Sequence, residues 1–182
     1  MIYILFLAFS AMLSVFEAAL SARNSKRLLQ EGAIEIAPRI FPLMALLYVF
    51  MYFGSLVEYF YLPKGISVGY AASMAGLFLL AKLLKAWAIF SLRKYWTMKV
   101  LILPGTHAVT SGPYRYIKHP NYMAVLLEIA AICLAGKSFI TFLIVFSLFS
   151  WILYYRVASE EEALLQHTDY SQSMLSKRRF IP

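Results

Sequence analysis

Long apolar runs alternate with short polar segments along the chain, and this pattern predicts membrane-spanning helices. A span needs about 20 apolar residues, with a range near 17–25. The runs that meet or approach this length lie at residues 2–20, 40–62, 66–92, 122–136 and 138–155. Gly136 and Lys137 form a tight turn between the last two runs, which predicts a helical hairpin. The sequence therefore predicts an all-α integral membrane protein with about five transmembrane helices.

Basic residues set the predicted orientation. Lys and Arg are concentrated in residues 21–39, 93–121 and 156–182. The turns at the other ends of the predicted spans hold only Lys64 and Lys137. Cytoplasmic loops carry an excess of Lys and Arg, so we expect the N-terminus outside and the C-terminus in the cytoplasm.

The segment after the last apolar run is predicted to be an amphipathic helix that folds back along the cytoplasmic membrane face. Its apolar positions are Leu164, Leu165, Tyr170, Met174 and Leu175.

Composition supports the membrane interpretation. Hydrophobic residues make up 62% of the 182 positions and charged residues 14%, whereas soluble domains carry about 25% charged residues. The formal net charge of +8 comes from short basic runs that suit an anionic leaflet and are too short for a nucleic-acid groove. The length suits a single domain. The sequence leaves the oligomeric state open.

Cysteine usage excludes other classes of site. Cys133, which lies in an apolar run, stands alone, so neither an intrachain disulfide nor a multi-thiolate metal site can form. We expect it to be a small buried hydrophobe. No His, Cys or carboxylate set has metal-ligand spacing, and no metal is predicted.

Charged residues occur inside the predicted spans, where they are costly and usually paired or functional. They are Glu17, Glu58, Lys82, Lys85 and Glu128. Lys85 and Glu128 lie at similar depths, roughly 10 Å from the same end of their spans at about 1.5 Å per residue. We therefore expect Glu128 to pair with Lys85 or Lys82. Such a pair would either fix helix packing or line a polar cavity.

The densest polar segment, G-P-Y-R-Y-I-K-H-P-N-Y at 112–122, precedes the fourth apolar run. Pro120 suits the first turn of a helix, which places His119 at the helix N-terminus beside free N–H groups. That position suits a ligand carboxylate. The tyrosines of this segment alternatively form an aromatic belt at the headgroup level.

A second polar cluster, R-V-A-S-E-E-E at 156–162, follows the last apolar run. Arg156 and Glu160 are four residues apart and share one helix face, with Glu161 beside it. The cluster would either form ion pairs within the helix or hold a cationic ligand.

With these segments the chain resembles the isoprenylcysteine carboxyl methyltransferase family, integral-membrane enzymes that use S-adenosylmethionine. Lys118 stands where members commonly carry Arg, and the resemblance covers about half of the chain, from Trp96 onward. The matching segments are V-T-S-G-P-Y-R-Y-I-K-H-P-N-Y (109–122), R-x-x-x-E-E (156–161), D-Y (169–170) and R-F-I-P (179–182).

The resemblance implies the roles of individual residues. It implies that Arg156 and Glu160 lie at the transfer site. It divides the chain into a lipid-side half, residues 1–95, and a catalytic half, residues 96–182. No glycine-rich Rossmann fingerprint is present, which excludes a soluble-type methyltransferase fold. The implied S-adenosylmethionine pocket consists of His107, Ala108, Val109, Tyr114, His119, Pro120, Asn121, Tyr122 and Glu161.

The methyl acceptor stays open at this point. Family membership implies a lipophilic or prenylated substrate, whereas the segments A-R-N-S-K-R-L-L-Q-E-G-A-I-E (22–35) and Y-W-T-M-K-V (95–100) look like bacterial members that methylate alkylpyrone or alkylresorcinol lipids. Alternatives are a phospholipid or amine methyltransferase, a membrane reductase that binds nicotinamide, and a non-catalytic scaffold or small transporter. A transporter would be expected to show inverted repeats, and the sequence shows none.

Overall fold

A computed structural model describes residues 2–62, 65–174 and 177–180 of the chain. Lys64, Leu175 and the last two residues of the R-F-I-P segment, which enter the predictions above, lie outside these ranges. The helices are α1 (Ile2–Gln30), α2 (Ile40–Tyr61), α3 (Val68–Leu92), α4 (Pro120–Ala135), α5 (Phe139–His167) and α6 (Tyr170–Met174). Two strands, β1 (Ile34–Ile36) and β2 (Val100–Ile102), and two short 3-10 turns (Arg93–Tyr95 and Gly112–Arg115) complete the described structure.

Four of the described helices, α1, α2, α3 and α5, are long and apolar enough to cross a membrane. Helix α4 has 16 residues, a length of about 24 Å, against a hydrocarbon core of about 30 Å. The count of five spans is therefore not confirmed. Large apolar side chains point away from the protein, with Phe53 70% exposed and Phe90 76% exposed. This outward apolar surface is that of an integral membrane protein.

The predicted hairpin is confirmed. The turn between α4 and α5 is Gly136–Lys137, in which the Ser138 N–H donates to the Cys133 carbonyl at 2.9 Å. The Glu58 carboxylate accepts from the Thr141 N–H at 2.9 Å and from its hydroxyl at 3.0 Å, and so it satisfies donors of the first α5 turn. Cys133 is fully buried, as expected.

The C-terminal segment differs from its prediction. Helix α5 runs without interruption through the second polar cluster and ends at His167, and α6 is a separate piece of five residues. Tyr170 and Met174 are buried against Ala88 and Tyr114. The amphipathic helix expected along the membrane face is therefore not confirmed, because the chain breaks between α5 and α6 and Tyr170 and Met174 pack on the protein.

A two-stranded antiparallel ribbon corrects the all-α prediction. Strand β1 pairs with β2 in the register Ile34 to Ile102 and Ile36 to Val100, and Lys99 forms an ion pair with Glu35 at 3.0 Å. The β-branched residues Ile34, Ile36, Val100 and Ile102 favour this conformation. The ribbon joins the segment after α1 to the segment after α3, which places both at the same end of the helices.

The predicted pairing of Glu128 is confirmed, and a fourth residue joins it. Lys82 Nζ lies 2.9 Å and Lys85 Nζ 3.0 Å from Glu128, while the same two ammonium groups contact Glu17 at 2.7 and 2.5 Å. We call these four residues the charge ring. Because its members belong to α1, α3 and α4, the ring fixes the positions of these helices relative to one another.

The hairpin turn is closely packed, and this gives a test of the fold. A Cβ on Gly136 would lie 2.8 Å from the Tyr3 hydroxyl oxygen and closer to its ring, and Tyr3 is held by a hydrogen bond to the Ile132 carbonyl at 3.1 Å. Because overpacking costs about 1–3 kcal/mol, Gly136→Ala is expected to lower the melting temperature of the detergent-purified protein.

Gly76→Ala is the matched control, because a Cβ there meets nothing within 4 Å. It should leave the melting temperature unchanged or slightly raised, since Ala is the better helix former. Equal melting curves for the two variants would contradict this packing of α1 on the hairpin.

Candidate functional site

The 112–122 segment is held against α3 by a glycine. Gly112 has φ +60°, and a Cβ there would meet the Ser91 side chain and would lie 3.1 Å from Trp87 Nε1. Gly is the residue that adopts this backbone conformation without steric cost. The turn Gly112–Arg115 therefore packs directly on α3 and buries Tyr114, and this burial raises the pKa of the Tyr114 hydroxyl well above its usual value.

His119 lies at the N-terminus of α4 and Pro120 is the first helical residue, as predicted. The imidazole is buried and its Nε2 contacts Glu161 Oε1 at 2.9 Å, while Arg179 Nη2 lies 2.9 Å from the same carboxylate. The His119 side chain thus contacts a carboxylate of the protein, whereas the sequence suggested a ligand carboxylate beside this helix N-terminus. Through these two contacts, Glu161 links α5 to the start of α4 and to residues 177–180 after α6, which we call the tail.

The tail also pairs with the 112–122 segment through backbone hydrogen bonds. The N–H groups of Lys118 and His119 donate to the carbonyls of Arg178 and Arg179, both at 3.0 Å. The residues just before α4 are therefore held from both sides, by α3 and by the tail.

The loop that precedes the 112–122 segment is held by Asp169, which lies between α5 and α6. Its carboxylate accepts from the Ala108 N–H at 2.7 Å and contacts His107 Nδ1 at 2.7 Å. The hydrogen bond from Ala108, followed by that from His107, holds the pKa of Asp169 below its usual value. The carboxylate is therefore charged at neutral pH and fixes the loop beside the end of α5.

A cavity of about 160 Å³, here called the loop cavity, lies between this loop, the start of α4, the end of α5 and α6. Of the eleven residues predicted for the site, Pro120, Arg156 and Glu161 do not line it. The predicted residues that do are His107, Ala108, Val109, Tyr114, His119, Asn121, Tyr122 and Glu160.

A second cavity of about 370 Å³, here called the interhelical cavity, lies between α1, α2, α4 and α5. Most of its wall is apolar, with Met44, Val125 and Phe149 among the lining side chains. Arg156 lines this cavity and is 4% exposed. The structure therefore places the two predicted catalytic residues on different cavities, Glu160 on the loop cavity and Arg156 on the interhelical cavity.

The two cavities meet at four residues that line both: Trp96, Thr97, Asn121 and Tyr122. Arg156 Nε donates to the Tyr122 hydroxyl at 2.8 Å, and this hydroxyl donates to Glu160 Oε2. The guanidinium also lies over the Tyr122 ring, 5.3 Å from its centroid. One phenol thus connects a cation on one cavity to a carboxylate on the other.

Residues 96–98 form the other side of this junction, and the sequence did not predict them as part of the site. Arg156 Nη2 donates to the Met98 carbonyl. The segment is anchored to α1, because the Asn24 amide donates to the Trp96 carbonyl at 2.8 Å and the Ser21 hydroxyl accepts from the Met98 N–H at 2.7 Å. Two polar residues one helical turn apart after the first apolar run were the available signal.

Comparisons with known proteins identify the family of the chain. The isoprenylcysteine carboxyl methyltransferase family matches residues 74–166, about half of the chain. The chain is 31% identical over 153 residues to "Uncharacterized protein YpbQ" of Bacillus subtilis (strain 168), covering 84% of this chain and 90% of the relative. It is 28% identical over 163 residues to an "Uncharacterized protein" of Haemophilus influenzae (strain ATCC 51907 / DSM 11121 / KW20 / Rd), covering 87% and 93%. With the loop cavity, the motif and the apolar helices in place, the chain belongs to the isoprenylcysteine carboxyl methyltransferase family of membrane methyltransferases.

Proposed function

We propose that this protein transfers a methyl group from S-adenosylmethionine to an oxygen atom of a lipophilic acceptor. The observation that carries the proposal is the junction of the two cavities at Tyr122. The loop cavity has the polar groups that a charged, water-soluble donor requires, and the interhelical cavity has the apolar wall that a lipid requires. A bimolecular reaction at this junction gains from holding both partners in reacting geometry.

The chemistry of the loop cavity fits S-adenosylmethionine. Glu160 offers a carboxylate to a cationic group, His119 and Asn121 offer polar side chains, and Tyr114 and Tyr122 offer aromatic surface. When bound, S-adenosylmethionine supplies an electrophilic methyl group on a sulfonium centre. Glu160 takes the place of Glu161 as the proposed acidic contact, because Glu161 is paired with His119 and Arg179.

The acceptor would occupy the interhelical cavity. Val15 of α1 and Val49 of α2 line it and are 69% and 65% exposed, so the cavity reaches the lipid-facing surface between these two helices. A hydrophobic acceptor can therefore approach sideways from the bilayer. We propose that the donor approaches from the opposite direction, from the cytoplasm, in keeping with the Lys and Arg distribution.

Arg156 and Tyr122 would orient the reacting oxygen. A prenylcysteine carboxylate is already ionised at neutral pH, so Arg156 would only need to hold it by charge-assisted hydrogen bonds. A phenol or enol, as in an alkylpyrone, must lose a proton, and the chain from Tyr122 to Glu160 leads that proton toward the loop cavity. The same residues therefore suit either oxygen acceptor.

Glu160 and its neighbour Glu162 provide a matched test of the donor site. Glu160 lines the loop cavity, whereas Glu162 is exposed and lines neither cavity. Because a hydrogen bond to a charged group contributes about 1.5–3 kcal/mol, Glu160→Gln is expected to weaken S-adenosylhomocysteine binding by roughly ten- to hundredfold in calorimetry. Glu162→Gln should leave the affinity unchanged.

Failure of the unaltered protein to bind S-adenosylhomocysteine would refute the donor assignment. Equal loss of affinity in both variants would show that bulk negative charge, rather than the Glu160 carboxylate in the cavity, is responsible.

Arg156 tests the acceptor side. Arg156→Ala removes the cation beside Tyr122 and is expected to lower methyl transfer into a total lipid extract by at least about a hundredfold, because the oxyanion loses its orienting partner. S-adenosylhomocysteine affinity should persist, since Arg156 does not line the loop cavity. The measurement is incorporation of label from methyl-labelled S-adenosylmethionine.

Arg115→Ala is the matched control, because Arg115 is exposed and lines neither cavity. Loss of S-adenosylhomocysteine binding in the folded Arg156 variant would move this residue to the donor site.

A further inference from the structure

The charge ring borders the interhelical cavity. Glu17 and Lys85 both line its wall, beside Tyr48, whose hydroxyl donates to Glu128 Oε2 at 3.0 Å. The hydroxyls of Ser14 and Tyr52, which contact each other at 3.0 Å, also line the wall, and most of the remainder is apolar, with Ala45 and Val125 as examples. A ligand that fills this cavity with hydrocarbon alone would therefore lie directly against charged groups.

We propose that the charge ring is a second recognition point for the methyl acceptor and that it binds an uncharged oxygen, such as a ketone, ester or ether oxygen, in the acceptor's apolar part. The inference rests on the proposed function in one respect, namely that the occupant of the interhelical cavity is the acceptor. It adds a chemical requirement that family membership does not supply.

Lys85 provides the donor. An ammonium carries three N–H groups, and among the described residues Lys85 Nζ donates to Glu17 at 2.5 Å and to Glu128 at 3.0 Å. The side chain is only 5% exposed, so the third N–H can find a partner only within the protein or in the cavity that it lines. Leaving a buried donor against hydrocarbon costs free energy, and an acceptor oxygen removes that cost.

Charge balance requires that the group of the methyl acceptor bound by Lys85 be neutral. The two glutamates and two lysines of the ring compensate one another. An additional carboxylate or amine in these apolar surroundings would be an uncompensated charge, which is costly at this depth. A ketone or ether oxygen accepts the hydrogen bond without adding charge.

The helix geometry gives the position of this oxygen in the acceptor. Tyr122 at the junction and Glu128 in the ring are six residues apart on α4, or about 9 Å along its axis. We take this axial rise as the approximate spacing expected between the second oxygen, bound by Lys85 beside Glu128, and the oxygen that receives the methyl group, with the intervening carbon skeleton beside Val125 and Met44.

Three phenols of equal chain length test this spacing. They are para-tetradecylphenol, the same phenol with a ketone on the third carbon of its chain, and the same phenol with a ketone on the ninth carbon. The third-carbon ketone lies at about the required separation from the phenol oxygen. Binding to the purified protein in detergent is measured by calorimetry without donor, and the third-carbon ketone is expected to bind about tenfold more tightly than either other probe. Equal affinity for the two ketones, or for all three phenols, would overturn the proposal.

A balanced variant assigns the effect to the ring. Lys85→Met combined with Glu128→Gln removes one cation and one anion and leaves Lys82 paired with Glu17, 2.7 Å apart. This variant should bind the three phenols with equal affinity. Tyr59→Phe, on α2 but lining neither cavity, is the control and should keep the preference. If the double variant does not fold, the comparison of the three phenols on the unaltered protein still tests whether the cavity recognises a second oxygen.

S-adenosylhomocysteine binding, measured on the same samples, separates this inference from the proposed function. Intact S-adenosylhomocysteine affinity with no discrimination among the phenols would overturn the ring proposal alone. Discrimination among the phenols without S-adenosylhomocysteine binding would overturn the donor assignment and leave the ring as a lipid-recognition site.

Discussion

A charge inside an apolar environment must be compensated, and this constraint organises the membrane half of the protein. Glu17, Lys82, Lys85 and Glu128 lie where water is scarce, and each carboxylate contacts both ammonium groups. Removing one partner of a buried pair costs about 3–5 kcal/mol, because an uncompensated charge remains. The ring therefore holds α1, α3 and α4 at fixed distances, and two of its members, Glu17 and Lys85, line the interhelical cavity.

The junction at Tyr122 depends on segments that are far apart in sequence. Arg156 comes from α5, the Met98 carbonyl from the loop after α3, and the polar side chains that anchor this loop come from α1. The helix α5, the loop after α3 and the helix α1 thus contact one another around this junction, so several independent contacts fix the position of the Tyr122 phenol. Such redundancy suits a site whose reacting groups must be held within a few tenths of an ångström.

The sequence predicted the features that a single helix determines, and one contact between helices. Apolar runs located the helices, Pro120 placed His119 at a helix start, and the similar positions of Glu128 and Lys85 along their apolar runs predicted their pairing, because a charge in an apolar run needs a partner. Other features that depend on tertiary contacts were missed. Three-residue strands are too short to show alternation, so β1 and β2 were not predicted. Glu160 and Glu161 are neighbours on one helix, and their different roles depend on contacts with distant residues: Glu161 pairs with His119 and Arg179, whereas Glu160 lines the loop cavity.

The backbone pairing of Lys118 and His119 with Arg178 and Arg179 has a consequence for biogenesis. The described helices long enough to span the bilayer all precede residue 178, so these helices are synthesised before the residues that pair with the 112–122 segment. This segment can gain its two backbone hydrogen bonds to the tail only after residues 178 and 179 have been made. The backbone pairing in front of α4 is therefore completed late in the synthesis of the chain, after the apolar helices have been made.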